Sequence, residues 1–238
     1  MILNQINFEK EFNKYYLFEK KPKVAVALSG GPDSMALLFL VNYWVTKNKG
    51  DVVALVVDHG IRNNSKLESK QVINFLKRTN ISSKIISIKK NKVLKKNMSE
   101  ARINRYEAIT NYCNKNNILH LFVGHHKDDN LETYINRRIT GSDFEGLQSI
   151  KKYVIFNKIN IIRPLLNFSK NQILKYNKKN NISFIKDPSN IDFTYTRPVI
   201  RNFLETENKI FAKEMEKEFF FIKNQFQLYR KMVSQILI

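Results

Sequence analysis

The feature that most constrains this chain is a polar turn, SGGPDS (Ser29–Ser34), which lies between two apolar segments. The segment before it, KVAVAL, is short and bounded by turn-forming residues, which predicts a buried strand. The segment after it, SMALLFLVNYWV, predicts a helix. A glycine-rich turn that opens a helix presents backbone N–H groups at the positive end of the helix dipole, where an anion is favoured. The turn therefore predicts a phosphate-binding loop.

The residues of this turn differ from those of the common phosphate loops. A Walker loop requires G-x-x-x-x-G-K-S/T, but no lysine follows the glycines here, and the dinucleotide pattern G-x-G-x-x-G is also absent. Gly30 and Gly31 allow a tight turn and a close backbone approach. Hydroxyl donors come from Ser29 and Ser34. Asp33 would repel a phosphate unless a cation such as Mg²⁺ lay between them. We therefore expect Asp33 to hold Mg²⁺ together with the bound phosphate.

Strand and helix patterns alternate along the first part of the chain. Buried strands are predicted at KVAVAL, DVVALVVD, SKIISI and LHLFVG. This alternation implies an α/β fold with a mostly parallel, Rossmann-like sheet, which we expect to have five strands flanked by helices. Ligands of such sheets bind beyond the carboxyl ends of the strands. Polar residues follow Leu28, Val57 and Val123, so we expect one site at that edge.

The pattern changes after Gly141. KYVIFNKINIIRPLL predicts a short hairpin, and Ser169 is expected to cap the helix that follows. The tail, residues 208–238, has apolar residues three and four apart, which predicts an amphipathic helix that packs on the body or on a partner subunit. We therefore expect a main domain at residues 1–205 and a C-terminal helical extension at residues 206–238.

Composition restricts the partners and the compartment. A formal net charge of +20 favours an anionic partner such as nucleic acid, although Lys, Asn and Ile are abundant throughout the chain. The one cysteine, Cys113, excludes an internal disulfide and a cysteine-rich zinc site, and we expect it to be buried in a helix. No apolar run approaches the roughly 20 residues that cross a bilayer, and the polar N-terminus does not suit a secretory signal. We expect no membrane association and a cytoplasmic location.

The strand followed by SGGPDS resembles the PP-loop ATP pyrophosphatases, which cleave ATP between the α and β phosphates. Five further stretches, in family order, are similar to the tRNA(Ile)-lysidine synthetases of that superfamily. These stretches are VDHGIR, ARINRYEAI, GHHKDDNLETYINRRITGSDFEGLQSI, RPLL and DPSNIDFTYTRPVIR. The resemblance extends over residues 20–205 and implies an adenine nucleotide alpha hydrolase-like fold with a PP-loop catalytic domain.

The resemblance also implies a two-step ligase reaction. ATP adenylates the C2 carbonyl oxygen of the wobble cytidine in an isoleucine tRNA with a CAU anticodon, and pyrophosphate leaves. The ε-amine of L-lysine then attacks C2 and AMP leaves, which gives lysidine and changes the charging identity from methionine to isoleucine. ATP and Mg²⁺ are the implied cofactors, tRNA(Ile) and L-lysine the implied partners, and a homodimer the implied assembly.

The resemblance assigns nucleotide-binding residues. ATP is expected at Ser29, Gly30, Gly31, Pro32, Asp33 and Ser34, with Asp58 and His59 after the second strand. The expected catalytic residues are Asp33, Arg102, Arg105 and Asp129. Departure of pyrophosphate requires positive charge, and Arg102 and Arg105 share one helix face because they lie three residues apart. A solvated ion-pair role for these arginines, and a capped loop position for His59, remain alternatives.

Lysine is expected to bind Asp129 and Glu132, which share one face of a helix with His125. Attack requires the neutral amine, so a nearby carboxylate or histidine must accept a proton, and the residues leave open which one does so. Contacts with tRNA are expected from Arg138, Arg197 and Arg201, with salt bridges to Asp187 or Asp192 as the alternative for the last two.

The chain departs from the family pattern in two respects. Pro198 stands where the family usually has Asn. Many members continue into further C-terminal domains that grip tRNA, so the basis for rejecting the methionine tRNA stays open.

Three other functions are alternatives to lysine ligation. They are another PP-loop tRNA-modifying enzyme, a metal-dependent phosphohydrolase and a non-catalytic RNA-binding remnant. A phosphohydrolase would draw its metal ligands from Asp58, His59, His125, His126, Asp128 and Asp129.

Overall fold

The computed structural model describes residues 2–14, 16–58, 65–88, 98–185, 196–206 and 209–236. The described helices are α1 (Gln5–Asn13), α2 (Pro32–Lys47), α3 (Ser65–Leu76), α4 (Met98–Lys115), α5 (Lys127–Ile139), α6 (Lys170–Lys179), α7 (Thr196–Thr206) and α8 (Lys209–Ile236). The described strands are β1 (Lys23–Leu28), β2 (Asp51–Asp58), β3 (Ser82–Ser87), β4 (His120–Phe122), β5 (Tyr153–Phe156) and β6 (Ile159–Ile162).

The strands form one sheet with the order β3-β2-β1-β4-β6-β5. Strands β3, β2, β1, β4 and β6 are mutually parallel, and β5 pairs antiparallel with β6. The expected mostly parallel α/β sheet flanked by helices is confirmed. The expected count of five strands was wrong, because the predicted hairpin does not stand apart. Its second strand pairs with β4 and extends the sheet, and its first strand adds a sixth at the edge.

The order of the strands fixes where the site lies. Strand β1 has β2 on one side and β4 on the other. The chain first adds β2 and β3 on one side of β1 and then adds β4 on the other side, so the order of the strands reverses at β1. At such a switch point the loops after neighbouring strands lead to opposite faces and leave a crevice beyond the carboxyl ends. The SGGPDS turn follows β1 directly and therefore lies at this crevice.

Apolar packing holds β1 and α2 in place. Val24, Ala25 and Val26 are fully buried because helices cover both faces of the strand. Helix α2 is apolar nearly all round, as its sequence MALLFLV requires of a buried helix. Phe12 of α1 packs edge-on to Trp44 of α2 with ring centroids 4.7 Å apart, so the N-terminal helix belongs to this core.

Two compact units are distinguished within the chain. The first comprises Met1–His126 and Lys152–Lys186 and contains the whole sheet. The second comprises Lys127–Lys151 and Asp187–Ile238 and has its own core, formed by Tyr134, Ile135, Ile200 and Phe219. The predicted domain boundary between residues 205 and 206 stays a prediction.

The second unit contains the predicted C-terminal helix. Helix α8 buries Phe219 and partly buries Phe211 and Met215, whereas Phe221 and Met232 are exposed. The amphipathic character expected from the sequence is therefore present. Within the described residues, no helix has both the length and the apolar composition needed to cross a membrane.

Candidate active site

The turn after β1 depends on the first of its two glycines. Gly30 has a φ of +81°, a conformation that residues with a Cβ rarely adopt. A Cβ at this position would lie 2.6 Å from Cγ2 of Val72 on α3. The Gly30 carbonyl accepts a hydrogen bond of 2.9 Å from the N–H of Ile185, which anchors the turn from the far end of the unit's sequence. The backbone of the turn is thus held open and in a fixed shape.

The two serines of the turn bond to each other. The Ser29 N–H donates to Oγ of Ser34 at 3.2 Å, and the two Oγ atoms are 3.1 Å apart. The Ser34 hydroxyl also lies 3.1 Å from the Gly31 carbonyl, to which it donates. Gly31 is the N-cap of α2 and offers no side-chain cap, so the first N–H groups of α2 suit an anionic ligand.

Asp33 is surrounded by basic side chains. Nζ of Lys170 lies 2.7 Å and 2.6 Å from the two carboxylate oxygens. Nε2 of His126, a residue only 4% exposed, lies 3.8 Å from Oδ1 of Asp33. The Asp33 side chain is 25% exposed, so this pairing takes place at the surface of the crevice. Sequence reasoning missed Lys170, because 137 residues separate it from Asp33 and no local pattern connects them.

A cavity of about 190 Å³ opens beside the turn. Its walls are the ends of three neighbouring strands, the turn and one face of α4. The lining residues are Ala27, Leu28, Ser29, Asp33, Ser34, Val57, Arg102, Arg105, Tyr106, Ile109, Val123, Gly124 and His125. The expectation that the strand ends at Leu28, Val57 and Val123 meet at one edge is confirmed, because parallel pairing places these three carboxyl ends together.

Helix α4 contributes the positive charge of this cavity. Arg102 and Arg105 both line it, as the three-residue spacing predicted, and Tyr106 lies beside them. Burial lowers the pKa of Arg105; the nearby Tyr106 partly opposes this shift, and Arg102 adds a smaller lowering. The guanidinium of Arg102 lies 5.6 Å from the centre of the Tyr106 ring, a cation–π contact that orients it. Two guanidinium groups that line one cavity are suited to bind phosphate.

The segment after β4 also lines the cavity, through Gly124 and His125. A Cβ on Gly124 would come within 3.2 Å of the Asp33 backbone, so this glycine permits the close approach of β4 to the turn. Nε of Arg163 donates to Nδ1 of His125 at 3.3 Å. Because an arginine nitrogen donates only, Nδ1 of His125 is the acceptor, and the neutral ring carries its proton on Nε2.

Two predicted lysine-binding carboxylates lie in the second unit, on α5. Arg201 of α7 makes a two-point contact with Glu132, with Nε–Oε1 and Nη2–Oε2 distances of 2.7 Å and 3.0 Å. Asp129 lies 3.8 Å from the same guanidinium. Glu132 is only 2% exposed, whereas the Asp129 side chain is 17% exposed. The structure thus pairs Arg201, expected at tRNA, with the residues expected at lysine, and all three roles stay predictions.

The remaining predicted residues are less well defined. Nε of Arg138 lies 3.0 Å from Glu218 on α8, within the second unit. Arg197 lies on α7 and Asp58 ends β2, but their side chains lie outside the described part of the chain. His59, Asp187 and Asp192 also lie outside the described residues. The roles predicted for these residues therefore stay predictions.

The described side chains offer little to a resident metal. In the described ranges, no group of three or more His, Cys, Asp and Glu residues could hold a metal ion. Asp33 supplies a carboxylate oxygen, which suits Mg²⁺, but the nucleotide phosphates would have to supply further ligands. Cys113 is buried in α4, as predicted, and burial raises the pKa of its thiol to about 12. It is therefore unsuited to bind metal or to react as a thiolate.

Comparison with known proteins adds a family relationship. A sequence profile described as PP-loop domain matches residues 4–208. The tRNA(Ile)-lysidine synthase of Orientia tsutsugamushi (strain Boryong) is 36% identical over 202 residues, which are 85% of this chain and 46% of that relative. The enzyme of the same name from Wolbachia pipientis wMel is 40% identical over 188 residues, 78% of this chain and 44% of that relative. The chain thus spans less than half the length of these curated relatives.

Two solved structures share the fold. The U34-tRNA thiolase NcsA from Methanococcus maripaludis, solved with its 4Fe–4S cluster, superimposes with a TM-score of 0.69 at 18% identity, over 90% of this chain and 78% of that one. The NH3-dependent NAD synthetase from Campylobacter jejuni, solved with a nitrate ion, gives a TM-score of 0.52 at 17% identity, over 90% and 93%. At these identities the likeness shows the fold alone, and it agrees with the expected adenine nucleotide alpha hydrolase-like architecture.

Proposed function

The chain belongs to the PP-loop domain family, and on that premise we propose that its first unit binds ATP and cleaves it between the α and β phosphates. The observation that carries this proposal is the cavity at the carboxyl ends of β1, β2 and β4. It brings the SGGPDS turn, at the N-terminus of α2, together with Arg102 and Arg105. Backbone N–H groups and guanidinium groups are the donors that a departing pyrophosphate requires.

The relatives indicate the acceptor of the adenylyl group. Both lysidine synthases are 36–40% identical to this chain over most of its length. We propose that the C2 carbonyl oxygen of a tRNA(Ile) wobble cytidine attacks the α-phosphorus, whereupon the bond to the β-phosphate breaks and pyrophosphate leaves. The ε-amine of L-lysine then attacks C2, the C2–oxygen bond breaks, AMP leaves with that oxygen, and the amine loses a proton. The protein would act in the cytoplasm, where tRNA is modified.

Residue roles in the first unit follow from the geometry. Arg102 and Arg105 would stabilise the negative charge that develops on pyrophosphate, because they line the same cavity as the turn. His125 would donate a hydrogen bond from Nε2, since Arg163 occupies its Nδ1. That tautomer makes His125 a poor base for the incoming lysine. Mg²⁺, when bound with the nucleotide at Asp33, would neutralise phosphate charge.

Residue roles in the second unit follow from burial. Asp129 is the more accessible of the two carboxylates, so we propose that it contacts the ammonium group of lysine. Glu132 is nearly inaccessible and holds both ends of the Arg201 guanidinium, so its role would be to position Arg201. Contacts of Arg138 and Arg197 with tRNA, and a homodimeric assembly, remain parts of this proposal that rest on the resemblance.

The other PP-loop activities fit the chain less well. A thiolase that depends on an iron–sulfur cluster needs several cysteine ligands. This chain has one cysteine, which is buried. A metal-dependent phosphohydrolase would use the described carboxylates and histidines as ligands, yet Nδ1 of His125 accepts a hydrogen bond from Arg163. Within the described ranges, no group of three or more His, Cys, Asp and Glu residues could hold a metal ion. Lysine ligation is therefore the function that the observations support best.

The test measures lysine transfer directly. Purified protein is incubated with ATP, MgCl2, radiolabelled L-lysine and a tRNA(Ile) transcript with a CAU anticodon, and the tRNA is digested to nucleosides. We expect label in a cytidine derivative, with one AMP and one pyrophosphate formed for each lysine. A methionine tRNA transcript with the same anticodon is the specificity control. Pyrophosphate release without lysine incorporation would point to another PP-loop enzyme, and phosphate release without either would favour a phosphohydrolase.

A further inference from the structure

The proposed phosphate loop lacks a cation of its own, and the ammonium of Lys170 lies beside its one charged residue, Asp33. The SGGPDS turn contains no lysine or arginine, and its one charged residue is Asp33. An anionic loop would repel the phosphates that it is proposed to hold. The ammonium of Lys170 lies within 2.7 Å of both Asp33 oxygens, and Asp33 lines the cavity. The ammonium of Lys170 on α6 therefore balances the negative charge of Asp33.

The position of Lys170 on its helix does not serve the helix itself. Ser169 is the N-cap of α6 and forms a capping box with Gln172, so Lys170 is the first helical residue. The first turn of a helix favours acidic residues, because the dipole places partial positive charge there. No acidic residue occupies the first turn of α6. A lysine at this end disfavours the helix electrostatically, so another interaction must account for its position.

A second contact fixes α6 against the turn. Nδ2 of Asn177, a fully buried residue, donates to the Pro32 carbonyl at 2.9 Å. Asn177 and Lys170 are seven residues apart, about two helical turns, and therefore lie on the same face of α6. Both ends of this face contact the start of α2, at Pro32 and at Asp33. The backbone of α6 at Lys170 is thus held at a defined position beside the turn, from which the ammonium reaches Asp33.

We propose that Lys170 is a phosphate-binding residue, which contacts the β- and γ-phosphates of the nucleotide and supplies the cation that the loop lacks. This inference rests on the proposed ATP-binding function and names a further residue of the same site. Lys170 carries three N–H donors on a flexible stem, so its ammonium reaches phosphate while it keeps a bond to Asp33. Asp33 then orients the lysine in addition to any contact with Mg²⁺.

The test separates direct contact from simple neutralisation of Asp33. Binding of pyrophosphate is measured by calorimetry in metal-free buffer, with the wild-type chain and the variants Lys170→Gln, Lys170→Arg and Asp33→Asn/Lys170→Gln. We expect Lys170→Gln to weaken pyrophosphate binding at least tenfold, and Lys170→Arg to weaken it less than fivefold. The double variant should remain at least tenfold weaker than wild type, because the phosphate contact is still missing. Lys175→Gln, an exposed position on the same helix, should leave affinity unchanged.

Several outcomes would overturn the inference. If the double variant recovers wild-type affinity, Lys170 only neutralises Asp33 and does not touch phosphate. The same conclusion follows if Lys170→Gln lowers the melting temperature but leaves affinity within twofold. Absence of pyrophosphate binding by the wild-type chain would also reject it. Binding that behaves as expected, in a protein that transfers no lysine to tRNA, would reject the proposed tRNA reaction and leave this inference standing.

A measurement on the unmodified protein guards against a variant that fails to fold. The wild-type chain is treated briefly with a lysine-acylating reagent, with and without pyrophosphate, and acylated peptides are quantified by mass spectrometry. We expect pyrophosphate to protect Lys170 at least fivefold and to leave Lys175 unaffected. Equal acylation of Lys170 in both samples would contradict a contact with phosphate.

Discussion

At the scale of single residues, the site depends on positions where one atom decides the geometry. A residue with a Cβ does not fit at position 30. The φ of +81° is strained for such a residue, and its Cβ would lie 2.6 Å from Cγ2 of Val72. Gly31, its neighbour, has a φ of −72°, and a Cβ there would lie 3.5 Å from Oγ of Ser29. The two glycines look equivalent in the sequence, but the structure makes only the first indispensable to the shape of the turn.

This difference predicts different effects of alanine at the two positions. We expect Gly30→Ala to lower the free energy of unfolding by about 1–3 kcal/mol, because a positive φ is strained for alanine and the new methyl group meets Val72. Urea denaturation measures the loss. In a Val72→Ala background, Gly30→Ala should cost less stability than it does in the wild-type chain, because the clash with Val72 is removed. Gly31→Ala is the matched control, and an equal loss there would show that the turn does not distinguish its glycines.

At the scale of elements, side-chain pairs join segments that are distant in sequence. Lys170 joins α6 to the turn at the start of α2, and Arg201 joins α7 to α5 through Glu132. The second pair is bidentate and its carboxylate is buried, whereas the Arg138–Glu218 pair between α5 and α8 is more exposed. Burial decides how much each pair contributes to the free energy of unfolding. Water screens the charges of an exposed pair, whereas a buried charge that loses its partner has no water to replace it.

Removal of the two arginines should therefore have unequal consequences. We expect Arg201→Ala to lower the free energy of unfolding by about 3 kcal/mol, because it leaves the buried Glu132 carboxylate without its main partner. Arg138→Ala should lower it by less than about 1 kcal/mol, as for an exposed ion pair. Chemical denaturation of both variants provides the comparison. Equal losses would show that the Glu132 carboxylate finds another partner or becomes protonated without cost.

At the scale of the whole molecule, polar contacts at the amino end of the sheet stabilise the fold away from the site. His120 opens β4, and its Nε2 lies 2.9 Å from Oε2 of Glu19, in the segment that leads into β1. Burial raises the pKa of Glu19, but hydrogen bonds with the backbone and with His120 outweigh burial and hold that pKa below its usual value of 4.5. Glu19 therefore couples folding to pH.

The sign of this coupling follows from the lowered pKa. The contribution of Glu19 is present above the unfolded-state pKa and is lost as pH falls through the folded-state pKa, below about 4.5. Because the Glu19 side chain is 39% exposed, the contribution is small, below about 1 kcal/mol. Glu19→Gln should lower the melting temperature at pH 7 and have less effect at pH 3. A shift that is equal at both pH values would contradict this linkage.

The sequence by itself determined the local elements and the chemistry of the turn. Strand, turn and helix follow from short apolar runs and from glycine, serine and proline, whose preferences act within a few residues. The convergence of three strand ends also followed, because parallel strands place their carboxyl ends at one edge. The three-residue spacing of Arg102 and Arg105 also predicted that they share one face of a helix, and both line the same cavity.

The tertiary structure alone decided which charges face each other. It brought Lys170 to Asp33 across 137 residues and Arg201 to Glu132 across 69, and it joined the predicted hairpin to the sheet as β5 and β6. No local pattern encodes these pairs, because they depend on how helices pack after the apolar core has formed. The sequence shows that the SGGPDS turn has no lysine. Only the packing of α6 on α2 shows that Lys170 lies beside Asp33 of that turn.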